Sequence, residues 1–170
     1  AQPHQQNSKV AMAYVKKALS VDPRCARATL IVADIEYSLG RYKAAVKAYR
    51  ELIKQDIVLL PEAIDKVISC FRQLSDQKGL MLFLQTAIEQ GGGVSSILSY
   101  ADELKATQGD RAAGAYIAEQ LAAHPSIKGL LKLIELHVKH ASETAKPSLL
   151  MLQQVVSKLL KNKPVYHCNR

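Results

Sequence analysis

The chain has 170 residues and a net charge of +8, from 23 Lys and Arg against 15 Asp and Glu. An apolar content of 48% excludes a disordered chain, and no apolar run of about 18 residues exists to span a bilayer as a helix. Three cysteines are sparse and odd in number, so a disulfide framework is not indicated and reducing surroundings are expected. The charge is uneven: residues 128–170 hold 8 basic and 2 acidic groups, a net of +6, against +2 for residues 1–127. A basic end can face nucleic acid, anionic lipid or an acidic protein. Nucleic acid is the least supported, because no basic groove interleaved with aromatics accompanies the charge.

Helical spacing of apolar residues predicts nine helices, near 8–20, 24–39, 42–55, 61–74, 77–90, 95–107, 110–123, 127–140 and 147–161. Residues 1–7 read as a tail. Helix 8–20 reads as the second member of a pair whose first is missing, so the chain is expected to be cut from a longer one. Gly40 closes the next helix, and Ala45 is a small residue where paired helices cross. In the 61–74 helix the apolar face is Val67, Ile68, Phe71 and Leu74. Gly91-Gly92-Gly93 is a helix stop. At Gln108-Gly109-Asp110, Gly109 supplies positive φ and Asp110 suits the cap of the helix behind it; Gly114 is a second small crossing residue. Pro147 is tolerable in a helix's first turn. Lys161-Asn162-Lys163-Pro164 reads as a boundary, since Pro164 disfavours helix at Lys163.

The segment Val15 to Pro23 aligns with Tyr49 to Ile57, 34 residues later, and Asp22 falls on Asp56. Between them lies Leu39-Gly40-Arg41-Tyr42-Lys43-Ala44-Ala45-Val46-Lys47-Ala48-Tyr49. Gly ending the first helix, Tyr two residues on and Ala at the crossing resemble the tetratricopeptide repeat, whose period is 34. The register carries Gly40 to Ser75 and on to Gly109. The expected fold is therefore all-α, a tetratricopeptide-repeat superhelix (α-solenoid) of antiparallel helix pairs over residues 8–161. Residues 162–170 form a linker and the start of something further.

Chemistry-bearing residues are few. Cys168, in Tyr-x-Cys behind a Lys-Pro linker, looks like the opening of a zinc-ribbon or rubredoxin-like knuckle, where four thiolates hold zinc or iron. The sequence stops two residues later, and a tail with an unligated thiol is the alternative. His137 and His140, three apart, could share a helical face, and two imidazoles alone are weak grounds for a metal site. His124 beside Pro125 suits a helix end. Cys25 and Cys70 sit in apolar helical settings as core residues. No phosphate loop, nucleophile elbow or zinc-protease motif is present, so an enzyme is not expected. In the repeat starting at Ala26, the ligand-facing positions of the tetratricopeptide family fall on Arg27, Leu30, Asp34, Tyr37 and Ser38. The Lys and Asn set of the carboxylate-clamp subfamily is absent there. Lys158, Lys161 and Lys163 make a basic stretch that an acidic protein or anionic lipid could use.

The divergent repeats, the run Ala18-Leu19-Ser20-Val21-Asp22-Pro23-Arg24-Cys25-Ala26-Arg27-Ala28 and the ending Leu159-Leu160-Lys161-Asn162-Lys163-Pro164-Val165-Tyr166-His167-Cys168 together resemble the bacterial lipopolysaccharide assembly protein B (YciM) family. That resemblance implies a membrane anchor, cytoplasmic repeats and a C-terminal rubredoxin-like metal domain, on the cytoplasmic side of the inner membrane. It implies an adaptor that restrains lipopolysaccharide synthesis by promoting degradation of the deacetylase LpxC by the membrane protease FtsH. It also implies a link to an inner-membrane regulator of that pathway. Cys168 matches the family's first metal thiolate; the other three ligands and the anchor have no counterpart in the 170 residues, so iron or zinc is expected of the parent protein and no cofactor of this stretch. The partner-binding candidates are Arg27, Asp34, Tyr37, Lys158 and Lys161. The alternative is a generic peptide-binding repeat module.

Overall fold

A computed structural model describes residues 3–123, 126–138, 154 and 156–158. Its helices are α1 (Pro3–Val21), α2 (Ala26–Ser38), α3 (Tyr42–Gln55), α4 (Leu60–Gln73), α5 (Gln77–Glu89), α6 (Gly93–Gln108), α7 (Asp110–Ala123) and α8 (Ile127–Val138). No strand occurs among the described residues. The expected helix at 147–161 lies mostly outside them. The observed fold is thus all-α, built of antiparallel helix pairs.

Differences from the sequence expectation are confined to ends. α1 begins at Pro3 and not at residue 8, with proline in the first turn where its missing N–H costs nothing. α2 begins at Ala26 and not at 24. Asp22 Oδ1 accepts a hydrogen bond from the Arg24 amide at 3.0 Å, and this side-chain turn delays the helix. One period on, Asp56 Oδ1 accepts from the Val58 amide at 3.1 Å. A short 3-10 turn, Ile57–Leu59, follows there and was not expected. The repeated aspartates are therefore repeated turn-formers.

First-helix ends are also equivalent. Gly40 adopts φ 71°, Ser75 φ 53° and Gly109 φ 89°, and Ser75 is the single non-glycine with positive φ among the described residues. At the first two, the amide two residues past the cap reaches back five residues: Arg41 N to Glu36 O and Asp76 N to Phe71 O, both 2.9 Å. These paired bonds satisfy carbonyls that a helix end leaves open.

The chain divides into two compact units, Ala1–Ser96 and Ile97–Arg170. In unit 1, Ala33, Ala45, Tyr49, Leu52, Leu60, Ala63, Val67, Cys70, Leu84 and Ala87 are fully buried. Phe71 and Phe83 meet edge to face with centroids 5.7 Å apart, joining α4 to α5. Ala45 is small because α3 approaches its neighbours there; any larger side chain would separate the backbones. In unit 2, Ala113, Gly114, Ile117, Ala118 and Leu121 form the buried face of α7. A Cβ on Gly129 would come within 2.6 Å of Leu121 Cδ2, so a larger residue there would require the Leu121 side chain to shift. Tyr100 and Tyr116 meet with their rings tilted by 55° and centroids 4.9 Å apart, and burial pushes the Tyr116 hydroxyl up to about 12. Lys105–Asp110 (3.2 Å) and Lys132–Asp102 (3.4 Å) are ion pairs of this unit. No described helix is long and apolar enough to cross a membrane.

Candidate functional site

The ligand-facing positions predicted on α2 form a polar ladder with α4. Arg27 Nη1 donates to Glu62 Oε2 at 2.7 Å. Lys66 Nζ donates to Asp34 Oδ2 at 2.6 Å. Tyr37 OH donates to Ser69 Oγ at 3.2 Å. The three α2 residues lie on one side of that helix, and 62, 66 and 69 advance by four and three along α4, the spacing that keeps side chains on one face. The structure thus brings Arg27, Asp34 and Tyr37 together on one side of α2, each engaged with the next first helix. Ser38 is exposed and donates to the Ile35 carbonyl at 2.8 Å.

Leu30 departs from the expectation. It is 6% exposed and belongs to the core, while Ile31 beside it stays 45% exposed. Helix α2 is rotated so that position 31 shares the polar face with 27, 34 and 38. Its apolar stripe, Ala28, Thr29, Leu30 and Ala33, points inward.

The middle rung reaches a third helix. Tyr49 of α3 is 0% exposed, and its hydroxyl donates to Asp34 Oδ1 at 2.9 Å. Asp34 therefore accepts from Tyr49 and Lys66 on separate oxygens and ties α2, α3 and α4 into one network. Burial, then the bond to Asp34, pushes the Tyr49 hydroxyl far above the ordinary tyrosine range. The bond to Glu62 and that residue's charge raise the Arg27 guanidinium as well, so this already strong cation stays fixed as a donor. Tyr37 also meets the ring of Tyr42 edge-on at 6.0 Å. The α4 half of the ladder was not singled out from sequence. Its signal was present: Glu62 lies 35 residues after Arg27, and Lys66 and Ser69 lie 32 residues after Asp34 and Tyr37.

The remaining candidates are scattered. Lys158 donates to the Ala122 carbonyl at 3.0 Å and so closes the last turn of α7, a cation at the negative end of a helix. Lys161, Lys163 and Cys168 lie outside the described residues, as does His140; the backbone of His137 lies in α8. Cys25 is half-buried and precedes α2, while Cys70 is buried in α4. Burial pushes the Cys70 thiol up to about 11, away from the thiolate that nucleophilic or ligand chemistry needs. Among the described residues no group of three or more His, Cys, Asp or Glu is placed to hold a metal.

Paired helices, period-related Asx turns and first helices closed at 40, 75 and 109 define a tetratricopeptide-type repeat protein. Crystal structures of MamA share this fold: one has a TM-score of 0.52 at 14% identity, covering 93% of this chain and 92% of that one. A second MamA structure also gives 0.52, at 15% identity, covering 95% and 89%. No protein-family model matches the chain. In sequence, the chain is 33% identical over 161 residues to lipopolysaccharide assembly protein B of Escherichia coli K12, and 28% identical over 155 residues to that of Haemophilus influenzae Rd. These alignments cover 94% and 91% of the chain. The chain belongs to the lipopolysaccharide assembly protein B family. It spans about two-fifths of these relatives, 41% and 39% of their lengths.

Proposed function

We propose that this chain is the non-enzymatic scaffold of a protein acting in lipopolysaccharide assembly, and that it regulates lipopolysaccharide biosynthesis by promoting FtsH-mediated degradation of LpxC. The observation that carries the reading is the 33% identity to lipopolysaccharide assembly protein B over 94% of the chain. The site's chemistry supports it. The polar groups on α2 and α4 are spent on holding helices in register, and the buried Cys70 has its thiol shifted against reactivity. A scaffold needs neither nucleophile nor base. It holds a client beside the protease and raises its effective concentration there.

In the parent protein this scaffold would sit on the cytoplasmic side of the bacterial inner membrane, with an inner-membrane regulator of lipopolysaccharide synthesis as a further partner. Cys168 would be the first thiolate of a rubredoxin-like centre for iron or zinc, with the other ligands supplied by sequence beyond the 170 residues. Arg27, Asp34, Tyr37, Lys158 and Lys161 are the contact candidates toward protein partners. The test is the lifetime of LpxC in cells lacking their own assembly protein B and supplied with the native-length protein. A shortened lifetime and co-purification of FtsH are expected. An unchanged lifetime with no FtsH recovered would sink the proposal.

A further inference from the structure

The second helices of unit 1, α1, α3 and α5, carry a charge pattern unlike that of the ladder. On α3, Lys43, Lys47, Arg50 and Lys54 follow one another at steps of four, three and four, and all are exposed. Those steps place them in one line along the helix, about 16 Å long at 1.5 Å per residue. The opposite side of α3, with Ala45, Val46, Tyr49, Leu52 and Ile53, is buried, so the cations point outward. Lys54 pairs with Glu51 at 2.9 Å. Lys43, Lys47 and Arg50 take part in no ion pair among the described residues.

The pattern follows the repeat. One period before, Lys9 and Lys16 of α1 occupy the positions of Lys43 and Arg50, and both are exposed. One period after, exposed Lys78 of α5 takes the position of Lys43, and Leu82, 59% exposed, takes that of Lys47. Equivalent positions on successive second helices face the same side of a repeat stack. The cations of the ladder, Arg27 and Lys66, are each matched by a carboxylate. On α3, by contrast, Lys54 is matched by Glu51 and the rest of the row is unmatched among the described residues.

We propose that this second-helix face of unit 1, centred on Lys43, Lys47 and Arg50, docks onto the anionic phospholipid headgroups of a bilayer surface. Charge complementarity sets the sign of the partner, and the layout sets its kind. The cations are spread over three helices in two dimensions, which suits a plane of mobile charges better than a single strand or peptide. The α3 row includes no aromatic ring on which a nucleic acid base could stack. The exposed Leu82 adds a shallow apolar contact of the sort used at a headgroup boundary. This inference does not depend on the LpxC reading and would hold for a repeat protein with any client.

The test is flotation of the 170-residue chain with vesicles of phosphatidylcholine alone, or containing about one-third phosphatidylglycerol, at low and raised salt. Binding to the anionic vesicles only, reversed by salt, is expected. The triple variant Lys43→Gln, Lys47→Gln, Arg50→Gln should weaken it on the order of a hundredfold, from the contribution of each cation at a membrane surface. The double variant Lys43→Arg, Lys47→Arg should retain it. Equal binding to neutral vesicles would overturn the proposal. So would undiminished binding by the triple variant with unchanged helical circular dichroism. Tighter, row-dependent binding to polyuridine RNA or to polyglutamate than to the anionic vesicles would overturn it in favour of a nucleic acid or an acidic protein.

Discussion

The first-helix and second-helix sides of unit 1 are built from the same few residue types and use them in opposite ways. Between α2 and α4, charge is consumed: Arg27 meets Glu62, Lys66 meets Asp34, and Asp34 also holds a buried tyrosine. Along α3, charge is displayed, and the row of Lys43, Lys47 and Arg50 has no carboxylate to answer it among the described residues. The difference is one of depth. A carboxylate that reaches a fully buried hydroxyl is structural, because losing it strands that hydroxyl away from water. An ammonium at the end of a long exposed stem costs nothing to leave unpaired. Charged residues on the two sides should therefore answer mutation differently, first in stability and then in binding.

The largest effect is expected at Asp34. Replacing it by Ala leaves the Tyr49 hydroxyl, 0% exposed, without its acceptor, and an unsatisfied buried group of that kind costs about 2–3 kcal/mol. Asp34→Asn keeps an acceptor for Tyr49 and loses the charge opposite Lys66, so it should recover about half of that loss. Urea unfolding of the two variants beside the parent chain measures both. If Asp34→Ala unfolded at the parent's midpoint, the ladder would be decoration and the contrast between the sides would vanish.

Beneath both sides lies Cys70, and its response is to pH. Burial raises its thiol from 9.0 to about 11 in the folded chain. Between those values the unfolded chain has lost the proton and the folded chain keeps it. The unfolded state then binds fewer protons, so stability falls as pH rises, by up to about 1.4 kcal/mol per unit. More than about one unit below pH 9 this group contributes almost no slope. Unfolding midpoints from pH 8 to 10 should show the decline, and Cys70→Ala should reduce it there whatever its own cost at neutral pH; above pH 10 the raised hydroxyls of Tyr49 and Tyr116 add a slope of the same sign.

Ser75 joins what was legible in the sequence to what was not. The period maps Gly40 onto Ser75 and Gly109, and all three adopt positive φ, so register alone located a backbone conformation that the residue type conceals. The helices over the described residues were legible for the same reason: the apolar spacing and the 34-residue offset are local and repeated. The α4 half of the ladder was not, because Glu62, Lys66 and Ser69 have no motif of their own and matter only through what α2 places opposite them. Leu30 was misplaced because one residue of helix rotation separates the core stripe from the polar face, and a family position cannot fix that rotation. Ser75→Gly should stabilise the chain by about 1 kcal/mol, since a side chain with Cβ is strained in the left-handed region. Thermal unfolding reads this directly, and a loss of stability would show that the serine side chain has a role at the turn beyond tolerating it.

The smallest expected effect is the most discriminating for the comparison of sides. Lys47→Gln on α3 removes an exposed cation that pairs with nothing among the described residues, so unfolding free energy should move by no more than about 0.5 kcal/mol. Removing unanswered charge from a crowded row can even relieve repulsion, since Lys43 and Arg50 lie one turn away on either side. A clear destabilisation would mean that the row is structural after all, with the long stems of these residues packed over the helix. A neutral result leaves the cations with no work to do inside the chain. Their recurrence at one register position through α1, α3 and α5 then has to be explained by something outside it.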